Sequence, residues 1–310
     1  MPAMSLPSPG ALAEATRDEA RLRDFLHRLP TVDDDAVERR ATAEASGATP
    51  SPAMLDSAIG MIDLTSLAAT DTATTVRALC GRAQHPDPGS PEVPTVAAVC
   101  VFPDLVETAA AELADSGIGI ASVAGGFPSG RTFRAVKRAE IEHATSAGAT
   151  EIDTVLDRGA FLEGNYGAAF DDIVAAKQAC GQARLKVILE TGELGSAGQV
   201  RRACWLALLA GADFLKTSTG KSMPAATLSA TYLLAETVRD WYAVTGQERG
   251  IKPAGGIRTT EDAVGHLAVA ERVAGSRWPR AGLFRIGASS VLDDLVSRRR
   301  TLGDGRGASC

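Results

Sequence analysis

Residues 149–156, ATEIDTVL, read as a strand whose apolar run is broken by charge at Glu151 and Asp153. Side chains alternate faces along a strand, so Asp153 shares a face with Glu151 and Val155. Downstream, LKVILE (185–190), ADFLK (212–216), GIKPAG (250–255) and LFRIG (283–287) are further short apolar runs, each with a basic residue inside. Asp153, Lys186, Lys216, Lys252 and Arg285 are separated by 33, 30, 36 and 33 positions, each step room for one strand and one helix. Upstream lie AIGMIDL (58–64), TVAAVCV (95–101) and GIASVAG (119–125). Helix-patterned segments (135–147, 166–180, 225–244) fall between runs, and Gly117, Gly148, Gly211 and Gly250 stand before strands as helix ends. Eight βα units in ~250 residues predict a closed (β/α)8 TIM barrel in preference to an open doubly wound sheet.

Outside that alternation the composition changes. Residues 1–53 form an N-terminal extension: a Pro/Ser-rich start, one amphipathic helical stretch from Leu12 to Leu29, and a Thr/Ala/Ser/Pro-rich linker. The barrel is assigned to 54–300 and a flexible tail to 301–310. With 45% hydrophobic and 23% charged residues, the chain is not of a disordered class. A net charge of −6 gives no overall attraction to nucleic acid or anionic lipid, so any anionic ligand must be held locally. No run reaches membrane-spanning length and the N-terminus lacks a signal pattern, so neither export nor membrane anchoring is expected. Five cysteines without a CxxC pair predict reduced thiols in a cytoplasmic protein. His27, His85, His143 and His266 are not paired at metal-ligand spacing, which predicts no metal site.

Strands of a parallel barrel are buried on both faces and should read as continuous Val, Ile and Leu. Asp153, Lys216 and Lys252 interrupt that pattern late in their runs, toward the C-terminal mouth where barrel active sites assemble. A lysine is a nucleophile only when neutral, and its pKa of ~10.4 leaves about 0.1% neutral near pH 7.4. A second ammonium close by disfavours the charged form, and the neutral amine then condenses with a carbonyl to an iminium, an electron sink for C–C cleavage. A carboxylate with ordered water can move the protons. The pattern predicts Schiff-base aldolase chemistry, with Lys186, Lys216, Lys221 and Lys252 all available as the nucleophile. Asp63, in the first run, can orient a hydroxyl or a lysine, or cap a helix.

After the sixth run, Thr217-Ser218-Thr219-Gly220-Lys221-Ser222 resembles the end of a P-loop, but the glycine such a loop needs five positions before Gly220 is Leu215. After the seventh stands Ala254-Gly255-Gly256-Ile257-Arg258, and after the eighth Gly287-Ala288-Ser289-Ser290 opens a helix. Loops after strands seven and eight of barrels commonly bind phosphate with a helix N-terminus. A phosphorylated small-molecule substrate follows.

The motifs MIDLTSL, AAVCVFP, ASVAGGFPSG, GATEIDTVLDRGAFLEGNY, LKVILETGEL, GADFLKTSTGK, IKPAGGIRT and FRIGASS, in order from about Ile59 to Leu295, resemble those of the deoxyribose-phosphate aldolase family. That resemblance implies reversible cleavage of 2-deoxy-D-ribose 5-phosphate to D-glyceraldehyde 3-phosphate and acetaldehyde, without cofactor or metal, by a homodimer. It implies Lys216 as the Schiff-base lysine, Lys252 as the group lowering its pKa, and Asp153 as proton relay, with Asp63 and Lys186 at polar positions nearby. It places phosphate contacts at Gly220, Lys221, Gly255, Gly256, Gly287 and Ser289, with Ser290 in the same motif. VLDRGAFLEG is closer to the animal-type branch. The chain ends Gly307-Ala308-Ser309-Cys310 without the terminal tyrosine of some bacterial members, a departure that leaves tail-assisted proton transfer open, with Asp153 and water as a sufficient alternative. Other readings are a catalytically silent sugar-phosphate-binding barrel and a Schiff-base aldolase for another phosphorylated aldol.

Overall fold

The computed structural model describes residues 6–304. Four helices come first: α1 (Pro9–Ala15), α2 (Glu19–Arg28), α3 (Asp34–Ala45) and α4 (Pro52–Ile59). Eight strands follow: β1 (Ile62–Thr65), β2 (Ala98–Val101), β3 (Gly119–Ala124), β4 (Glu151–Val155), β5 (Arg184–Ile188), β6 (Phe214–Lys216), β7 (Gly250–Lys252) and β8 (Ile286–Ala288). Between and after them run α5 (Ala73–Gln84), α6 (Val106–Glu112), α7 (Arg134–Ser146), α8 (Arg158–Leu162), α9 (Tyr166–Ala179), α10 (Ala197–Leu209), α11 (Leu228–Thr245), α12 (Thr260–Ala274) and α13 (Val291–Asp304).

The strands pair in parallel in the order β7-β6-β5-β4-β3-β2-β1-β8. Bridges from Ile251 to Phe284 and from Ala254 to Gly287 join the two ends, so the sheet closes into the expected (β/α)8 barrel. Register then decides which side chains can meet inside: Asp153 stands opposite Lys186, and Lys216 opposite Lys252. Lys216 and Lys252 are the last residues of their strands, whereas Asp153 and Lys186 sit one level deeper, at the centres of theirs.

Several boundaries differ from the sequence reading. The stretch from Leu12 to Leu29 is two helices, because the Asp18 side chain accepts from Arg21 N and starts a new helix. The segment read as a linker contains α3, started by Asp33, whose carboxylate accepts from Ala36 N, and anchored by the i, i+4 pair Val37 and Ala41. These helices share one apolar core with the barrel: Leu22, Leu26, Val37 and Ala41 are buried, α2 packs on α9 and α10, and α3 on α11 and α12. Ala58 and Ile59, read as the start of the first strand, end α4 instead. Residues 301–304, assigned to a tail, continue α13, and 305–310 lie outside the described residues.

Gly117, Gly148 and Gly211 have the positive φ expected before strands. Gly250 serves another purpose: it lies in β7, where a Cβ would come within 2.2 Å of the Phe214 ring. Among the described residues no helix is long and apolar enough to cross a membrane.

Candidate active site

Seven ionisable side chains fill the barrel axis, each 5% exposed or less: Asp63, Glu151, Asp153, Lys186, Lys216, Lys252 and Arg285. Asp153 is the hub. Its Oδ2 accepts from Lys216 Nζ at 2.7 Å and from Lys252 Nζ at 2.8 Å, and its Oδ1 from Lys186 Nζ at 3.0 Å. Lys252 Nζ also meets Asp63 Oδ2 at 2.6 Å. Lys186 Nζ touches Glu151 and lies 3.5 Å from Asp63 Oδ2. Arg285, from the residue just before β8, donates to Asp63 and grips Glu151 through Nη2–Oε1 at 2.7 Å and Nη1–Oε2 at 3.1 Å.

The basic groups are therefore unequally served. Lys186 contacts three carboxylates, Lys252 two and Arg285 two, but Lys216 has Asp153 alone and shares the same oxygen with Lys252. Burial disfavours every one of these charges. For Asp153 the three ammonium groups outweigh burial and hold its pKa well below the usual carboxylate range. Burial would lower Lys252, but Asp153 and Asp63 raise it above the ordinary lysine value, and Lys186 is raised in the same way by Asp153 and Glu151. Lys216 goes in the opposite direction: burial and the neighbouring Lys252 ammonium lower it, and the upward pulls of Asp153 and Cys100 do not make up the difference.

Lys216 also lines a cavity of about 410 Å³ at the C-terminal mouth. Its far side is made by Gly220 and Lys221 after β6, Gly255 and Gly256 after β7, and Gly287, Ser289 and Ser290 at β8 and the entry to α13. The first two loops meet backbone to backbone. A Cβ on Gly255 would lie 2.7 Å from Gly220 Cα, so no other residue allows this approach. Gly287 makes room differently, because a Cβ there would come within 2.7 Å of Ala254 Cβ and 3.0 Å of Lys252 Cε. Buried Glu190 accepts from Thr219 Oγ1 at 2.6 Å and from Thr219 N at 3.2 Å, fixing the loop before Gly220. Lys221 Nζ donates to Leu67 O at 2.8 Å, tying that loop to the one after β1.

The phosphate-side residues read from sequence are thus brought together, as are both lysines and Asp153. Asp63 and Lys186 are placed otherwise than as mouth residues: both are fully buried and, like Asp153 and Lys252, do not line the cavity, which Lys216 alone of the charged axis reaches. Asp63 is the second residue of β1, accepts from Arg285 and forms an ion pair with Lys252, so it orients a lysine and caps no helix. Cys100 is buried with Leu67, Ala121 and Val123 in a small apolar cluster beside the lysines, where burial raises its pKa. The sequence reading did not single out Arg258 as a ligand, although it lines the cavity, nor the tie between Glu151 and Arg285. The strand alternation, which puts Glu151 on the face of Asp153, was the available signal for the second.

Residues 57–295 match the family described as DeoC/LacD family aldolase. The chain belongs to that family. It is an enzyme, an aldolase. A Caenorhabditis elegans protein named putative deoxyribose-phosphate aldolase is 44% identical over 240 residues, covering 77% of this chain and 79% of that one. The human deoxyribose-phosphate aldolase is 41% identical over 257 residues, with 78% and 80% covered. Among solved structures, a putative deoxyribose-phosphate aldolase from Coccidioides immitis aligns with a TM-score of 0.67 at 29% identity, over 87% of this chain and 99% of that one. A deoxyribose phosphate aldolase from Aeropyrum pernix, described as tetrameric, gives 0.63 at 26% identity, over 88% and 100%. The matched family segment contains every residue of the charged axis and of the cavity wall.

Proposed function

We propose that this aldolase cleaves 2-deoxy-D-ribose 5-phosphate reversibly to D-glyceraldehyde 3-phosphate and acetaldehyde through a Schiff base on Lys216. The observation that carries this reading is the isolation of Lys216, a buried amine with one shared carboxylate, facing a cavity walled by glycine loops. The neutral Nζ adds to the C1 aldehyde, and the carbinolamine loses water to give an iminium. A base takes the C3 hydroxyl proton, the C2–C3 electron pair moves into the iminium, and glyceraldehyde 3-phosphate leaves as the aldehyde. The enamine then takes a proton at C2, and water releases acetaldehyde and the free amine.

Asp153, within 2.7 Å of Lys216 Nζ, is the carboxylate placed to move these protons with a water. Lys252 keeps positive charge beside the reacting nitrogen and so favours its neutral form. The phosphate sits against Gly220, Gly255, Gly256, Gly287 and the start of α13, with Ser289, Ser290, Lys221 and Arg258 supplying donors and charge. Asp63 and Lys186 act below the substrate, Asp63 by holding Lys252 and Lys186 by holding Asp153. The described cysteines Cys80, Cys100, Cys180 and Cys204 are buried and unpaired, which supports a reducing, cytoplasmic location. A homodimer is the proposed assembly.

Incubation with acetaldehyde and borohydride should add an ethyl group to the peptide carrying Lys216. An unchanged mass, or trapping on another lysine, refutes the assignment. Turnover of deoxyribose 5-phosphate, with ketose phosphates inert, separates this reading from a silent binding barrel and from an aldolase for a different phosphorylated aldol.

A further inference from the structure

The contacts along the axis contain an imbalance. Four basic groups, Lys186, Lys216, Lys252 and Arg285, face three carboxylates, Asp63, Glu151 and Asp153. Among the described residues the eight strands supply no further buried charge here: β2 contributes the Cys100 thiol, β3 the apolar Ala121 and Val123, and Arg184 at the start of β5 is exposed. With all groups ionised the axis carries one excess positive charge in a buried space, and neutralising one base removes it. Arginine cannot release its proton in this range. Of the three lysines, Lys216 has the fewest carboxylate contacts and gives up its proton at least cost.

We propose that Arg285, locked to Glu151, is the positioning residue that sets this count and thereby keeps Lys216 neutral. The proposal rests on the reading of Lys216 as the Schiff-base lysine. Arg285 does not touch Lys216 and acts through the carboxylates. By occupying Asp63 and Glu151 it limits what those groups offer to Lys252 and Lys186, which then draw on Asp153. Asp153, divided among three ammonium groups, is left with little capacity to stabilise a proton on Lys216. Without Arg285, Asp63 and Glu151 turn wholly to Lys252 and Lys186, Asp153 is freed, and three carboxylates balance three ammonium ions. Lys216 then stays charged. Loss of Glu151 has the opposite sign, since Lys186 must lean harder on Asp153.

The test is the pH dependence of the borohydride-trapped acetaldehyde adduct in single turnover. Arg285→Met should move the acid limb up by about one pH unit, making trapping at pH 7 about tenfold slower, with full recovery at higher pH. Glu151→Gln should move the limb down. The double variant removes one charge of each sign and should return the limb to the wild-type position. Arg285→Lys keeps the count while losing the two-pronged grip on Glu151, and should leave the limb in place. A purely structural role would lower amplitude or stability without this pattern of signs. Should Arg285→Met fail to fold, the double variant and Glu151→Gln carry the test, because removing both members of a buried pair strands neither. Coincident limbs for wild type and Arg285→Met, a shift of the same sign for both single variants, or a double variant displaced from wild type would each overturn the proposal. Failure of wild type to trap at any pH is a different result, and removes the Schiff-base reading together with this one.

Discussion

The barrel axis and the seam beneath the N-terminal helices are both buried, yet they are built from opposite materials. The axis concentrates seven ionisable side chains, and the seam consists of Leu22, Leu26, Val37 and Ala41 seated on α9 to α12. Apolar burial contributes about 25 cal/mol per Å². Each buried ion instead carries a desolvation cost of several kcal/mol that its partners only roughly offset. The seam therefore accounts for stability, while under the proposed mechanism the axis is retained for chemistry that an apolar barrel could not perform. If this division holds, substitutions in the two regions affect different measurements.

The largest separation is expected at Lys252. Replacing it with leucine leaves three bases facing three carboxylates, so Lys216 becomes a stable ammonium and aldol cleavage at neutral pH should fall by at least about a hundredfold. Asp63 keeps Arg285, and Asp153 keeps Lys186 and Lys216, so no buried carboxylate is stranded and the fold should survive. Steady-state kinetics with deoxyribose 5-phosphate, alongside a circular dichroism melt, reads both quantities. A Lys252→Leu enzyme with full activity would break the comparison, because the axis would then hold charge to no purpose.

The same division explains what could be read from the chain. Strand spacing and the charges interrupting it were visible because parallel barrel strands are otherwise uniformly apolar, so Asp153, Lys216 and Lys252 stood out as exceptions. Which carboxylate serves which lysine was not legible, since that depends on register around a closed sheet. Asp63 and Arg285 are 222 residues apart in sequence and meet only because β1 pairs with β8. Helix α3 was missed for a local reason. Its apolar face is little more than Val37 and Ala41, and its start depends on an Asp33 cap within an acidic run that reads as solvated loop.

The seam gives the next effect. Leu26→Ala opens a hole between α2 and the barrel where the side chain is fully buried, and should cost about 2–5 kcal/mol in urea unfolding. kcat/KM of the remaining folded enzyme should not change, because α2 packs on the outer faces of α9 and α10 and supplies nothing to the cavity. A parallel loss of kcat/KM would show that the extension and the mouth are coupled, and the separation would have to be abandoned.

The smallest effect tests whether the outer layer has any titratable dependence of its own. His266 of α12 is buried, its Nδ1 2.8 Å from Thr231 Oγ1 of α11, and Asp262 one turn earlier is the charged group acting on it. Burial outweighs Asp262 and lowers its pKa to about 4. The unfolded chain, with an ordinary histidine near ~6.5, therefore binds a proton that the native state excludes between these values. The neutral site contributes its full stability above pH ~6.5 and loses it as pH falls toward 4. The loss amounts to about 2 kcal/mol by pH 5. The axis carboxylates add little in this window, because at pH 5 an unfolded aspartate (pKa ~3.9) or glutamate (~4.3) is still less than about a fifth protonated, and their contribution is common to both proteins compared. Urea unfolding at pH 7.5 and at pH 5 should differ by about that much more for wild type than for His266→Asn. Equal differences for the two proteins would mean that the α11–α12 packing tolerates a charged imidazole, and the pH sensitivity of this layer would not come from His266.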